Sequence, residues 1–330
     1  MSMIFIGLII CLIITFLQSM EYTCCRDFYA KNKIDKLKKS RWHERIEEVN
    51  IKSKIDNSIQ KAFFYKSNSS IPGPLIISLH TWSENYKTYD SISNICMKKN
   101  ITYLRPNYRG ANNNPEACMS ELALHDIDQA IAYGLKNANI DSSKIFIIGS
   151  SGGGYAALST FMKSSIKISR FSVWCPITDL EAWYEFSLIK KNKYPDQILK
   201  CTKSKNGKLD LNSAKKRSPM HWPIPMNKIG DVSLNIYVGI NDGINGSVPI
   251  TQSINFYNKL LVEYGGDKSN LVTDNEKLLL LEHRKALGNY GELNGRKICL
   301  IKKFEDIKLV IFKGNHEIME NYAVENLLRE

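Results

Sequence analysis

The chain contains no C-x-x-C pair, and its eight cysteines and six histidines fall into no metal-ligand spacing. No metal or organic cofactor is implied. It also lacks an internal repeat and a low-complexity tract, which removes solenoids and repeat arrays. Its 45 basic and 33 acidic residues leave a net charge of +12. No aromatic-interleaved basic stripe or nucleic-acid motif accompanies that charge. The lysines are scattered, as at Lys36, Lys38 and Lys39, at Lys190, Lys191 and Lys193, and from Lys215 to Arg217. A solvated basic surface is expected, with no nucleic-acid partner.

Long apolar runs are scarce too. The one at residues 3–17 is about fifteen residues, short for a membrane span, and it stands at the N-terminus. It suits the apolar region of a secretory signal peptide, although no Lys or Arg precedes it and no A-x-A cleavage site follows. Residues 1–20 are therefore expected to be a signal peptide, with an uncleaved membrane anchor as the alternative. Either way the protein is exported, to a periplasmic or extracellular location. A disulfide among Cys96, Cys118, Cys175, Cys201 and Cys299 then has open partners, and buried free thiols are the preferred expectation.

What the chain does contain is clearest at residues 145–154, I-F-I-I-G-S-S-G-G-G. An apolar β-branched run ends in a G-x-S-x-G turn, and a helix-forming stretch follows at residues 155–162. This is the setting of a nucleophile elbow, which exposes the Ser151 hydroxyl at the end of a sheet. The flanking glycines are expected to supply positive φ and close helix–strand approach.

Around that turn, 330 residues with 43% hydrophobic and 24% charged content give one large α/β domain. Residues 21–45 read as a linker or surface segment, and residues 46–330 as the catalytic domain. Strands at 46–51 and 59–65 form an N-terminal antiparallel hairpin. Strands at 75–79, 101–104, 144–148 and 171–175 then alternate with helices at 92–99, 120–135 and 155–162. Alternation with short connections predicts a mostly parallel, doubly covered sheet. After the sixth strand a Lys-rich, helical stretch over about 180–225 interrupts it as a lid-like insertion. A strand at 234–239, helices at 250–264 and 275–287, a hairpin near 297–302 and 308–312, and a last helix at 317–330 complete the chain.

A serine hydroxyl needs a positioned base, and the base needs a third group to fix its tautomer. Where an elbow carries the nucleophile, the acid and the histidine follow in that order, each beyond a strand. His43 and His80 precede Ser151, His125 and His283 sit within helical stretches, and His221 lies in the insertion. Only His316, after the strand at 308–312, fits the base. Asp242, after the strand at 234–239, fits the acid. For the oxyanion, one donor is the Gly152 N–H. The second is expected from the loop after residues 75–79, and Trp82 N–H is the candidate.

With these residues in hand, the chain resembles the prolyl oligopeptidase and acetylxylan-esterase-like branch of the α/β-hydrolase superfamily. The resemblance runs from about residue 59 to the C-terminus. It is carried by L-H-T-W (79–82), P-N-Y-R-G (106–110), H-D-I-D-Q-A-I (125–131), I-D-S-S-K-I-F-I-I-G-S-S-G-G-G-Y-A-A-L (140–158), R-S-P (217–219), G-I-N-D-G (239–243) with V-P (248–249) and S-I-N-F-Y (253–257), and G-N-H-E (314–317). It implies an α/β-hydrolase fold and the same triad, Ser151, Asp242 and His316. It implies structural roles for Arg109 and Asp126. Two departures stand out: H-T replaces the usual H-G of the oxyanion loop, and Asp242 is further from Val248-Pro249 than in the oligopeptidases.

Oligopeptidases of this kind carry a β-propeller, each blade needing about 40–45 residues. Some 58 residues precede the matched region, which leaves no room for one. A propeller-free, exported member of the branch implies a carboxylic-ester hydrolase acting on a small ester or an acylated carbohydrate. Trp183, Tyr184 and Trp222 are candidate sugar contacts, with burial in the core as the alternative. A serine peptidase of the same family is the rival reading. From another class, a catalytically silent hydrolase fold that binds carbohydrate is the third.

Overall fold

Residues 42–329 are described by the computed structural model, so the apolar run at 3–17 and nearly all of the 21–45 segment lie outside it. The hairpin forms as expected. Strand β1, Glu47–Lys52, pairs antiparallel with β2, Ile59–Tyr65, with Glu47 opposite Phe64 and Lys52 opposite Ile59. Asn57 takes φ 61° in the connecting turn, a conformation that a short amide side chain tolerates.

Beyond it come β3 (Gly73–Leu79), β4 (Thr102–Pro106), β5 (Ile140–Ser150), β6 (Arg170–Trp174), β7 (Ser233–Gly239), β8 (Glu292–Leu293), β9 (Arg296–Phe304) and β10 (Ile307–Phe312). They join β1 and β2 in one ten-stranded sheet of order β1-β2-β4-β3-β5-β6-β7-β10-β9-β8. The run from β4 to β10 is parallel throughout, and the antiparallel pairs sit at the two edges. Consecutive residues from Leu75 to Leu79 and from Ile145 to Gly149 are buried, so both sheet faces are covered.

The covering helices are α1 (Ile92–Lys98), α2 (Glu121–Asn137), α3 (Gly152–Lys163), α7 (Thr251–Glu263), α8 (Asp274–His283) and α9 (Glu320–Leu328). Helix α1 packs on α9, and α2 packs on α3. Ser120 caps α2 by accepting the Ala123 N–H, a contact worth about 1 kcal/mol. Helix α8 ends earlier than its sequence suggested, because Arg284 turns left-handed at φ 52°. Helix α9 starts later, at Glu320. The Glu317 carboxylate is engaged by both Arg296 guanidinium nitrogens, at 2.7 and 2.9 Å, and by the Asn315 N–H at 2.9 Å. That clamp holds residues 315–317 as a loop.

The insertion comprises α4 (Leu180–Ile189), α5 (Tyr194–Cys201) and α6 (Leu211–Lys216). Leu180, Trp183, Ile198, Cys201 and Ala214 all sit in the main core. It is a packed layer in this structure. Arg109 ties the hairpin to α2: its Nε lies 2.5 Å from Asp126, and its two terminal nitrogens meet Asp56 at 2.6 and 3.0 Å. Among the described residues, no helix is long and apolar enough to cross a membrane.

Candidate active site

Strand β5 runs straight into Ser151, and α3 begins at the next residue. Ser151 has φ 56° and ψ −119°, a backbone region of the kind that costs a non-glycine residue about 1–3 kcal/mol. Two hydrogen bonds hold it there: its N–H donates to the Trp174 carbonyl (2.8 Å), and its carbonyl accepts the Tyr155 N–H (2.9 Å). The positive φ therefore belongs to the serine, and not to the flanking glycines as the sequence suggested. The glycines are needed for closeness. A Cβ on Gly152 would fall 2.2 Å from the Trp82 nitrogen, and one on Gly153 2.2 Å from the Leu79 carbonyl oxygen.

The same closeness brings the two expected oxyanion donors together. Gly152 opens α3, so its N–H has no intrahelical acceptor. The Trp82 backbone is tied down on its C-terminal side, where its carbonyl accepts the Asn112 N–H at 2.9 Å. Asn112 is in turn held through its side-chain oxygen, which accepts the Cys118 N–H at 2.8 Å. The loop's first residue, His80, stacks flat on Tyr108 at 4.0 Å, and the Tyr108 hydroxyl donates to the His80 carbonyl at 2.7 Å. Burial, helped by the nearby Arg105 charge, depresses the His80 pKa to about 3, so this imidazole stays neutral.

Strands β7 and β10 lie side by side, and the loops after them carry Asp242 and His316. Asp242 is fully buried, and its Oδ2 is 2.7 Å from His316 Nδ1. Its Oδ1 accepts the N–H groups of Gly243 (2.9 Å) and Val248 (3.2 Å). A carboxylate in that position accepts the Nδ1 proton and so fixes the histidine tautomer with Nε2 outward. The lengthened spacing before Val248-Pro249 is explained here: residues 243–248 wrap back onto the carboxylate. Gly246 closes the wrap, for a Cβ there would meet Asp242 Oδ1 at 2.2 Å and His316 Cβ at 2.5 Å. Asn245 donates to the Asn315 side chain at 3.3 Å and joins the two loops. Among the described residues no hydrogen bond links Ser151 to His316. Catalytic contacts often close only around substrate.

Two site residues escaped the sequence. Gly246 is one, since close approach of a loop leaves no periodic signal. Cys175 is the other: its sulfur, an Asp242 oxygen and a His316 nitrogen lie within 4.8 Å of one another. Burial and the Asp242 charge push its thiol pKa well up, so it stays protonated. With Asp242 already accepting three hydrogen bonds, this cluster is a neutral thiol packed beneath an Asp–His pair.

The expected sugar contacts are all buried. Trp183 is 1% exposed and donates its indole N–H to the Ser247 carbonyl at 2.7 Å; Tyr184 and Trp222 are also buried. Trp222 borders a cleft of about 850 Å³ with Lys163 and Arg217, at the far end of α3 from Ser151. Twelve residue steps from Ser151 to Lys163, at about 1.5 Å each, put that end roughly 18 Å away. None of the three offers a free ring face, so the burial alternative holds for them.

The BD-FAE family model matches residues 62–260. The chain belongs to the BD-FAE family, a hydrolase-fold family. Among solved structures, it is similar to the acylaminoacyl peptidase of Pyrococcus horikoshii, with TM-score 0.56 and 16% identity over 86% of this chain and 40% of that one. A puromycin-hydrolyzing peptidase of Mycobacterium tuberculosis gives 0.54 and 14%, over 86% and 37%. Prolyl oligopeptidase B from Galerina marginata, in its apo form, gives 0.52 and 17%, over 71% and 35%. The BD-FAE member thus spans about two fifths or less of these neighbours, and at such identities what they share with it is the fold, an α/β-hydrolase fold. Among curated proteins, none matches it.

Proposed function

We propose that the protein is a serine hydrolase that cleaves carboxylic esters through an acyl-enzyme, with Ser151 as nucleophile, His316 as base and Asp242 as orienting acid. The observation that carries this reading is the 2.7 Å Asp242–His316 contact on the loops after β7 and β10, in a sheet whose β5 ends in the Ser151 elbow. In the reaction, His316 Nε2 takes the Ser151 proton as the hydroxyl oxygen attacks the ester carbonyl. The Gly152 and Trp82 N–H groups receive the developing oxyanion. Protonated His316 then delivers its proton to the leaving alcohol. Water, deprotonated by His316, attacks the acyl-enzyme and restores Ser151.

An acylated carbohydrate is the substrate suggested by the resemblance to the acetylxylan-esterase-like branch, and the apolar run at residues 3–17 supports export to where such substrates occur. The buried Trp183, Tyr184 and Trp222 lend that substrate no stacking surface. A peptidase is the second reading, favoured by fold neighbours named as acylaminoacyl and prolyl peptidases. Hydrolysis of p-nitrophenyl acetate compared with aminoacyl-anilides separates the two. The ester reading expects the acetate to be preferred and the Ser151→Ala variant to lose both; a strong preference for the anilides overturns it.

A further inference from the structure

Two thiols with no part in the proposed chemistry meet in the core. Cys118, in the segment between β4 and α2, and Cys201, the last residue of α5, place their sulfurs 2.8 Å apart across 83 positions of sequence. That is roughly 0.8 Å beyond the length of a disulfide bond. Both residues are fully buried. Of the other described cysteines, Cys96, Cys175 and Cys299 are also buried and free, and none has a second sulfur beside it.

We propose that Cys118 and Cys201 close as an intramolecular disulfide that staples the insertion to the segment supporting the oxyanion loop. The backbone around Cys118 is already held for it. Arg217, from the insertion, donates to the carbonyls of Pro115 (2.7 Å), Ala117 (2.8 Å) and Cys118 (3.1 Å). The Tyr155 hydroxyl bridges the Cys118 and Arg217 carbonyls at 3.1 and 2.5 Å. These bonds hold the Cys118 side of the pair against the insertion that carries Cys201.

The exchange can start at either sulfur, because the two are in contact; the route that starts at Cys118 is representative. With a low-molecular-weight disulfide as oxidant, Cys118 sulfur bonds to one sulfur of that molecule and expels the other as a thiol. Cys201 then loses its proton and attacks the Cys118 sulfur, expelling the second thiol. Two electrons and two protons pass from the pair to the oxidant. Because both sulfurs are covered in the folded chain, the exchange takes place as the insertion docks.

The staple bears on the site through backbone alone: the Cys118 N–H holds Asn112, and Asn112 holds the Trp82 carbonyl. The inference nonetheless stands independently of the hydrolase reading. To test it, the full chain is reduced in denaturant, refolded by dilution with oxidised glutathione present, then alkylated in denaturant and digested without reduction for peptide mass spectrometry. The expected result is a linked pair containing Cys118 and Cys201, with Cys96, Cys175 and Cys299 alkylated. Reduction should lower Tm by roughly 5–10 °C, from the loop entropy returned to the unfolded chain. The Cys201→Ala variant should show neither the link nor the sensitivity to reductant. Alkylation of both Cys118 and Cys201 after oxidation, or a link from either to any other cysteine, overturns the proposal.

Discussion

Gly246 lies so close to His316 that a Cβ on it would stand 2.5 Å from the histidine Cβ, and 2.2 Å from Asp242 Oδ1 on its other side. A loop backbone is thus the wall that presses the Asp–His pair together. The Gly246→Ala variant should displace that pair and lower kcat by at least about 100-fold, the scale on which small misplacement costs a catalytic group. Its KM should change far less. Steady-state kinetics on p-nitrophenyl acetate check this, and an unchanged kcat would remove Gly246 from the account.

Among the described residues no Lys or Arg forms an ion pair with Asp242, and its Oδ2 is committed to His316 Nδ1. The Asp242→Asn variant should keep the fold, since an amide oxygen still accepts from Gly243 and Val248. It should nonetheless lose about 10⁴ in kcat by favouring the wrong imidazole tautomer. Circular dichroism and kinetics on the same preparation make the comparison.

Gly152 and Trp82 approach too closely to admit a methyl group between them. Gly152→Ala should push the two proposed oxyanion donors apart and cost roughly 10²–10³ in kcat. Transition-state-like boronic acids should lose affinity in parallel, whereas substrate KM should barely move.

The buried, neutral His80 supplies a pH signature. Its folded pKa, about 3, lies below the ordinary 6.5, so the unfolded chain binds a proton that the folded chain refuses. Stability from this group is full above pH 6.5 and falls as pH drops towards 3, by up to about 1.4 kcal/mol per pH unit. In His80→Gln the slope of denaturation free energy against pH should flatten across that window.

Much of this was legible in the chain. The run before Ser151, the G-x-S-x-G turn and the alternating strands announce a parallel sheet with an elbow, because burial on both faces demands unbroken apolar strands. Asp242 and His316 follow from chain order. Other features depend on approach in space, which spacing along a chain does not encode. Nothing local says that Ser151 rather than a glycine takes the positive φ, that Gly246 seals the Asp–His pair, or that Cys118 finds Cys201. For Trp183 and Trp222 the polar, Lys-rich neighbourhood leaves sugar contact and burial both open. Their indole N–H groups bond to the Ser247 and Lys216 carbonyls, and that is what lets them be buried.

The most direct measurement is mapping of a fluorophosphonate adduct on the folded protein by peptide mass spectrometry. The account predicts one adduct, on Ser151, formed at least about a thousandfold more slowly in His316→Ala. Absence of an adduct in folded protein, or labelling of Ser151 at the same rate without His316, would contradict it.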